Sequence, residues 1–154
     1  MVVLDANLLP ETLAFLTENV TAPLFYEPVS CAKARRIGRN IGRCAIVKPN
    51  RYEAAMLTGC SCDSVRGVYR AAEWFLRAGV ERVFVSLGAE GVVWADADGF
   101  GYIEGERITA IDTTGAGDVM CAAVIHGYLT GQSTEACAYA GNRASAQLCA
   151  GFER

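Results

Sequence analysis

Short apolar runs alternate with longer stretches of helical spacing, and this alternation constrains the fold more than any other feature. Residues 1–4 (Met-Val-Val-Leu), 24–26 (Leu-Phe-Tyr), 45–47 (Ala-Ile-Val) and 82–86 (Arg-Val-Phe-Val-Ser) read as buried strands. Between them the spacing predicts helices over 10–19, 30–43, 51–58 and 64–78. The second of these is basic, and the last carries Val68, Ala71 and Phe75 at helical intervals. Pro10 suits the first turn of its helix, where a missing N–H costs nothing. Strands joined by helical crossovers lie parallel, and a parallel sheet is covered on both faces. After the strand at 82–86, Gly88-Ala-Glu-Gly91 turns into Val92-Val-Trp94, and residues 95–101 read as a hairpin tip before Tyr102-Ile103. Ile111, a glycine-rich loop and helices over 116–130 and 134–150 complete the chain. No repeat, linker or low-complexity run interrupts it, so residues 1–154 are expected to form a single α/β domain.

Composition removes several classes of function. The 154 residues are 52% hydrophobic, enough for a real core. A formal charge of −3 lacks the basic excess of a nucleic-acid binder, so no nucleic-acid partner is expected. His126 is the only histidine, which excludes His-based triads and multi-histidine metal sites. The only lysines are Lys33 and Lys48, and neither lies in a GxxxxGK[ST] loop. The seven cysteines (31, 44, 60, 62, 121, 137 and 149) are odd in number, and Cys60-Ser-Cys62 is too closely spaced for CxxC chemistry. They read as reduced thiols, several of them in apolar helical patterns, of a cytoplasmic protein. No apolar stretch reaches the roughly 18 residues of a membrane span, so no membrane partner is expected.

Three segments carry chemistry. Asp112-Thr-Thr-Gly-Ala-Gly-Asp118 runs straight into an apolar helix. Its glycines permit a tight turn, and the unpaired amides and positive dipole end of the helix suit an anion such as phosphate. Asp118 beside such an anion is placed to accept a proton from an attacking hydroxyl. Equally, Thr114 or Asp118 could serve only as a helix cap. The loop is not a dinucleotide fingerprint, because the third glycine is missing. In Lys48-Pro-Asn-Arg-Tyr-Glu53, Asn50 and Glu53 stand three apart at a helix start. That spacing fits a capping box and also a glutamate that organises hydrated Mg²⁺. Ser86-Leu-Gly-Ala-Glu-Gly91 is either a plain hairpin turn or a strand-end loop that meets a nucleotide.

In this order and spacing, the three segments resemble the C-terminal half of the ribokinase-like (PfkB) sugar and nucleoside kinases. Residues 112–118 are similar to that family's signature loop, and residues 48–53 to its Asn-x-x-Glu motif. Asp5-Ala-Asn7, Glu27-Pro-Val-Ser30-x-x-Lys33 and Lys48-Pro-Asn-Arg-x-Glu-Ala54 resemble the branch that phosphorylates pseudouridine. The resemblance implies a three-layer α/β/α fold with a largely parallel sheet, truncated by loss of the N-terminal half and its lid. It implies transfer of the γ-phosphoryl group of ATP, with Mg²⁺, to a hydroxyl of a nucleoside or sugar, pseudouridine first.

By the same resemblance, Asp118 is the base, and Gly115, Ala116 and Gly117 form the anion hole. Asn50 approaches the nucleotide phosphates, and Glu53 holds the Mg²⁺ waters. Ser86, Leu87, Gly88 and Gly91 line the ATP site, with Asn142 near the nucleotide. Asp112 and Thr114 match places where related kinases hold a monovalent cation such as K⁺. Family members are roughly twice this length, and the missing half supplies most acceptor contacts. Exposed sheet edges then favour a homodimer. The alternatives are a non-catalytic nucleotide-binding or dimerisation module, a ribokinase- or adenosine-kinase-like enzyme with another acceptor, and a purely structural domain.

Overall fold

The computed structural model describes residues 1–151. Its centre is a six-stranded sheet whose spatial order follows the chain: β1 (Val2–Asp5), β2 (Leu24–Glu27), β3 (Ile46–Val47), β4 (Arg82–Ser86), β5 (Gly91–Ala95) and β6 (Phe100–Glu104). The first four strands are parallel, with Asp5 opposite Glu27, Tyr26 opposite Val47 and Val47 opposite Val83. From β4 onward the sheet is an antiparallel meander, β5 pairing with β4 (Val85 opposite Val93) and with β6 (Val92 opposite Ile103). This is the architecture expected from the sequence: crossovers give parallel neighbours, and the short turn after Ser86 can only give an antiparallel one.

Alternate residues of each strand face opposite layers. Leu4, Tyr26, Val47, Val83, Val85 and Val93 pack beneath α1 (Pro10–Asn19), α2 (Arg51–Thr58) and α3 (Val65–Ala78). On the other face Phe25, Ile46, Phe84 and Val92 pack against Met120 and Val124 of α4 (Ala116–Leu129) and Cys137 and Ala138 of α5 (Thr134–Cys149). Each large side chain buried this way contributes about 1.5–3 kcal/mol. The second layer stops short of the first strand, where Val3 is 53% exposed.

The helix ends carry the expected signals. Ser64 accepts the Gly67 amide at the start of α3, and Ser133 accepts the Ala136 amide at the start of α5. Helix α4 begins differently, at Gly115 (φ 83°), with no side-chain cap. The basic segment at 30–43 departs from its predicted α-helix. It is 3₁₀ over Ala34–Arg43, broken at Gly38 (φ 57°, ψ −138°). Its arginines form no single stripe. One Arg36 guanidinium nitrogen donates to the carbonyls of Ala6, Asn7 and Leu8 at 3.1, 3.2 and 3.4 Å, and Arg35 Nε donates to Met56 O at 2.9 Å. These contacts tie the segment to the ends of β1 and α2, while the left-handed backbone at Gly38 interrupts the helix ladder itself. All seven cysteines are free thiols, and Cys44, Cys62, Cys137 and Cys149 are buried. No helix among the described residues is long and apolar enough to cross a membrane.

Candidate functional site

The parallel strands β2, β3 and β4 deliver their carboxyl ends to one edge of the sheet, the usual place for a ligand in an open α/β fold. Glu27 ends β2. Lys48, Pro49 and Asn50 follow β3, and Ser86 ends β4. Ser86 donates its amide to Pro49 O at 3.0 Å, and Asn50 and Ser86 form a parallel bridge. That pairing brings the second and third motifs side by side.

The glycine loop reaches the same edge. Asp112 Oδ1 accepts the Thr114 amide at 2.8 Å, which bends the chain ahead of α4. The Ala116 amide donates to Thr113 O at 3.2 Å, whereas the amides of Gly117 and Asp118 meet no acceptor among the described residues. Ser145 of α5 donates to Ala116 O at 2.8 Å and fixes the first turn of α4. Asp118 stands in that turn with its carboxylate exposed. The open donors and the dipole of a 14-residue helix both favour a bound anion there.

Beneath the loop lies a polar cluster that sequence reasoning did not assign to the site. Lys48 is only 3% exposed, and its Nζ lies 3.1 Å from Glu27 Oε2. The Cys121 thiol, on the second turn of α4, donates to the same oxygen at 2.9 Å. A Cβ at Gly117 would stand 3.9 Å from Lys48 Nζ, so the ammonium faces the loop across an empty side-chain position. Burial works against the Lys48 charge, but the Glu27 carboxylate and its neighbours outweigh it and hold the group charged above its ordinary value. Burial raises the Glu27 carboxyl despite the opposing pull of Lys48. The Cys121 thiol is pushed up by burial and stays protonated, as a donor to Glu27 requires.

The Asn50–Glu53 pair forms a complete capping box. Asn50 Oδ1 accepts the amides of Tyr52 and Glu53, and Glu53 Oε2 accepts the Asn50 amide, all at 2.9 Å. Glu53 is buried, yet its second carboxylate oxygen takes no hydrogen bond from the described residues. The loop from Ser86 to Gly91 is tied down on two sides. Arg51 pairs with Glu90 at 2.8 Å, and the Gly105 amide donates to Glu90 O at 2.9 Å. Leu87 donates to Gly91 O at 2.8 Å around a single 3₁₀ turn at Gly88–Glu90. Asn142 donates to Glu104 O at 3.0 Å, anchoring α5 to the end of the hairpin. His126 lies exposed in the last turn of α4, away from these groups.

A family model described as pfkB family carbohydrate kinase matches residues 6–151. The chain belongs to that family. Among its pfkB relatives, pseudouridine kinase of Escherichia coli strain K12 is 32% identical over 133 residues, which is 85% of this chain and 42% of that protein. The 1-phosphofructokinase of the same strain is 36% identical over 90 residues, covering 58% of this chain and 29% of its own. A Clostridium perfringens protein provisionally described as a sugar kinase superposes with a TM-score of 0.91 at 29% identity, over 98% of this chain and 48% of that one. Ribokinase of Thermotoga maritima gives 0.79 at 26% identity, over 98% and 50%. The chain therefore spans half or less of the length of these relatives.

Within the pfkB match, the structure gathers Asn50, Glu53, Ser86 and the 86–91 loop by direct hydrogen bonds or bridging. Gly117 and Asp118 join them across Lys48. Asn142 touches the hairpin end. Glu27 and Lys48 each stand at the head of a motif, but their meeting with one another and with Cys121 escaped the sequence because no local pattern links residues 94 positions apart.

Proposed function

We propose that this chain carries the phosphoryl-transfer half of a kinase that moves the γ-phosphoryl group of MgATP to a hydroxyl of a nucleoside or sugar, with pseudouridine the leading acceptor. One observation carries the reading. An uncapped helix end presents the free amides of Gly117 and Asp118 and the exposed Asp118 carboxylate together, beside the buried Lys48 cation. Phosphoryl transfer asks a protein mainly for positioning and charge stabilisation. The amides suit the charge that develops on the transferred group, and Asp118 accepts the proton of the attacking hydroxyl. Asn50 lies at the phosphate side of the same edge. The uncommitted oxygen of Glu53 fits a magnesium ion held through its waters, an ion that touches few protein groups directly. When bound, Mg²⁺ supplies neutralisation of the phosphate charge. Asp112 and Thr114 would hold K⁺, which would appear as activation by KCl over NaCl. The pseudouridine preference draws on the 32% identity to the Escherichia coli enzyme and on the Asp5, Glu27 and Lys33 motifs.

The test pairs calorimetric titration of MgATP with a transfer assay on pseudouridine, ribose and fructose 1-phosphate. Asp118→Asn should bind MgATP as the parent does and lose transfer by about 10²–10⁴-fold, the usual contribution of a positioned base. Undiminished transfer would remove Asp118 from its role. A second reading is a nucleotide-binding half that works only beside another polypeptide, and the open exposure of Asp118 and its loop favours it. MgATP binding without transfer by the chain alone would select that reading.

A further inference from the structure

We propose that a groove between the 3₁₀ segment and helices α2 and α3 is a second ligand site, built for a flat aromatic carboxylate. It lies outside the phosphoryl-transfer edge and does not rest on the kinase reading. Ile41, Leu57, Trp74 and Ala78 supply its apolar lining, and Arg35 and Arg39 its charge, around a space of about 470 Å³. Such a volume, lined mostly by apolar groups with a few polar ones among them, is typical of a small-molecule site. Leu57 stands in the last turn of α2, so the groove is at the opposite end of that helix from Asn50 and Glu53.

The charge of the groove selects its ligand. No carboxylate lines it, and its ionisable residues are the two arginines. The bond from Arg35 Nε to Met56 O places that guanidinium and leaves its terminal nitrogens without an acceptor among the described residues. Arg39 has no hydrogen-bond or ion-pair partner among them. Their neighbour Arg36, by contrast, is satisfied by backbone carbonyls. A free guanidinium fork matches the two oxygens of a carboxylate. Beside the arginines, Trp74 is 39% exposed, its ring set edge-on to that of Phe75 at 5.4 Å between centroids. An exposed indole offers a stacking surface. A carboxylate can share the plane of the aromatic ring that bears it, so one flat molecule meets both the indole and a fork.

The groove is also preformed. The 3₁₀ segment is pressed against the end of α3, where a Cβ at Gly42 would stand 1.8 Å from Ala78 O and one at Gly79 would stand 2.7 Å from Gly42 O. Gly38 lines the groove between the two arginines, and nothing lies within 4 Å of where its side chain would be, so a ring can approach the bare backbone there. A site already held in shape spares its ligand the cost of ordering it.

The experiment uses the full chain with 2-naphthoate as the probe. Trp74 and Trp94 are the only tryptophans, and Trp94 packs on the other face of the sheet with Phe84 and Val92. An indole ¹⁵N–¹H spectrum therefore holds two signals, a reporter and an internal control. Naphthoate should shift the Trp74 signal and leave that of Trp94 in place. Its affinity, read by calorimetry, should fall about tenfold in Arg39→Gln, as expected for one lost charge-assisted hydrogen bond. Arg39 is exposed and unbonded, so that variant should melt as the parent does. The neutral analogue 2-naphthamide, which needs no variant, should also bind the parent about tenfold more weakly. A Trp74 signal that stays in place, or equal shifts at both tryptophans, overturns the proposal. Equal affinity for naphthoate and naphthamide overturns it too, as does parental affinity in a folded Arg39→Gln.

Discussion

A methyl group added at Gly117 and one added at Gly91 meet different surroundings. At Gly91 (φ 116°) the new Cβ would lie 2.0 Å from Ile103 O, with the backbone in a region only glycine enters freely. Gly91→Ala should therefore cost about 3 kcal/mol or more, read as a lowered urea midpoint. Gly117 is helical and has only Lys48 Nζ within 4 Å. Gly117→Ala should raise stability by about 0.5–1 kcal/mol, as alanine does in a helix, while weakening tripolyphosphate binding severalfold. A variant losing both stability and binding would contradict that separation. Glu53 allows a similar division of roles. Glu53→Gln keeps a capping-box acceptor but removes the charge, so the melting temperature should hold within about 0.5 kcal/mol of stability while the Mg²⁺ concentration for half-maximal transfer rises. An unchanged Mg²⁺ requirement would leave Glu53 a cap alone. Both possibilities were legible in Asn50-x-x-Glu53, and the hydrogen bonds establish the cap. Lys48 was not legible as a site residue, because its position depends on Glu27 and Gly117, which sequence places 21 residues before and 69 after it.

Most elements follow from their local signals. Pro10 opens α1, Asn50 and Ser64 cap α2 and α3, and the β4–β5 turn begins and ends in glycine. The segment at 34–43 escaped because its periodic apolar residues, Ala34, Ile37 and Ile41, fit a helix while Gly38 between them leaves helical space. Nothing lies within 4 Å of a Cβ at Gly38, so the conformation there is set by the backbone and not by crowding. Gly38→Ala should accordingly cost only the torsional penalty, about 1–3 kcal/mol, with no change in nucleotide binding. A neutral or stabilising Gly38→Ala would mean that the segment readily becomes the continuous helix its spacing suggests. Close by, Val29 (φ 57°) turns the chain between Glu27 and the 3₁₀ segment, with the Ser30 amide on Pro28 O at 2.6 Å. A β-branched residue seldom adopts this conformation, and here it stands two residues after Glu27, the last residue of β2.

Across the molecule, four thiols and a tyrosine resist losing their protons. Burial raises the Cys44 thiol from 9.0 to about 12, raises Cys62, Cys121 and Cys137, and lifts the Tyr26 hydroxyl, which donates to Ala34 O at 2.9 Å. Above pH 9 the unfolded chain releases thiol protons that the folded chain keeps, so the folded state binds more protons and its stability falls as pH rises. Melts in reductant should be level between pH 7 and 8 and decline from about pH 9 to 12, by about 1 kcal/mol per pH unit for Cys44 alone. Removing that thiol in Cys44→Ala should flatten the decline, and an unchanged slope would discount it. The strand order has a consequence of another kind. Every strand lies beside its predecessor in the chain, so a growing polypeptide can extend the sheet one strand at a time as it emerges from the ribosome. The Cys121–Glu27 bond breaks that pattern by reaching back 94 residues. It closes only when α4 docks on strands already laid down, so the loop ahead of that helix takes its place beside Lys48 after the sheet edge beneath it exists.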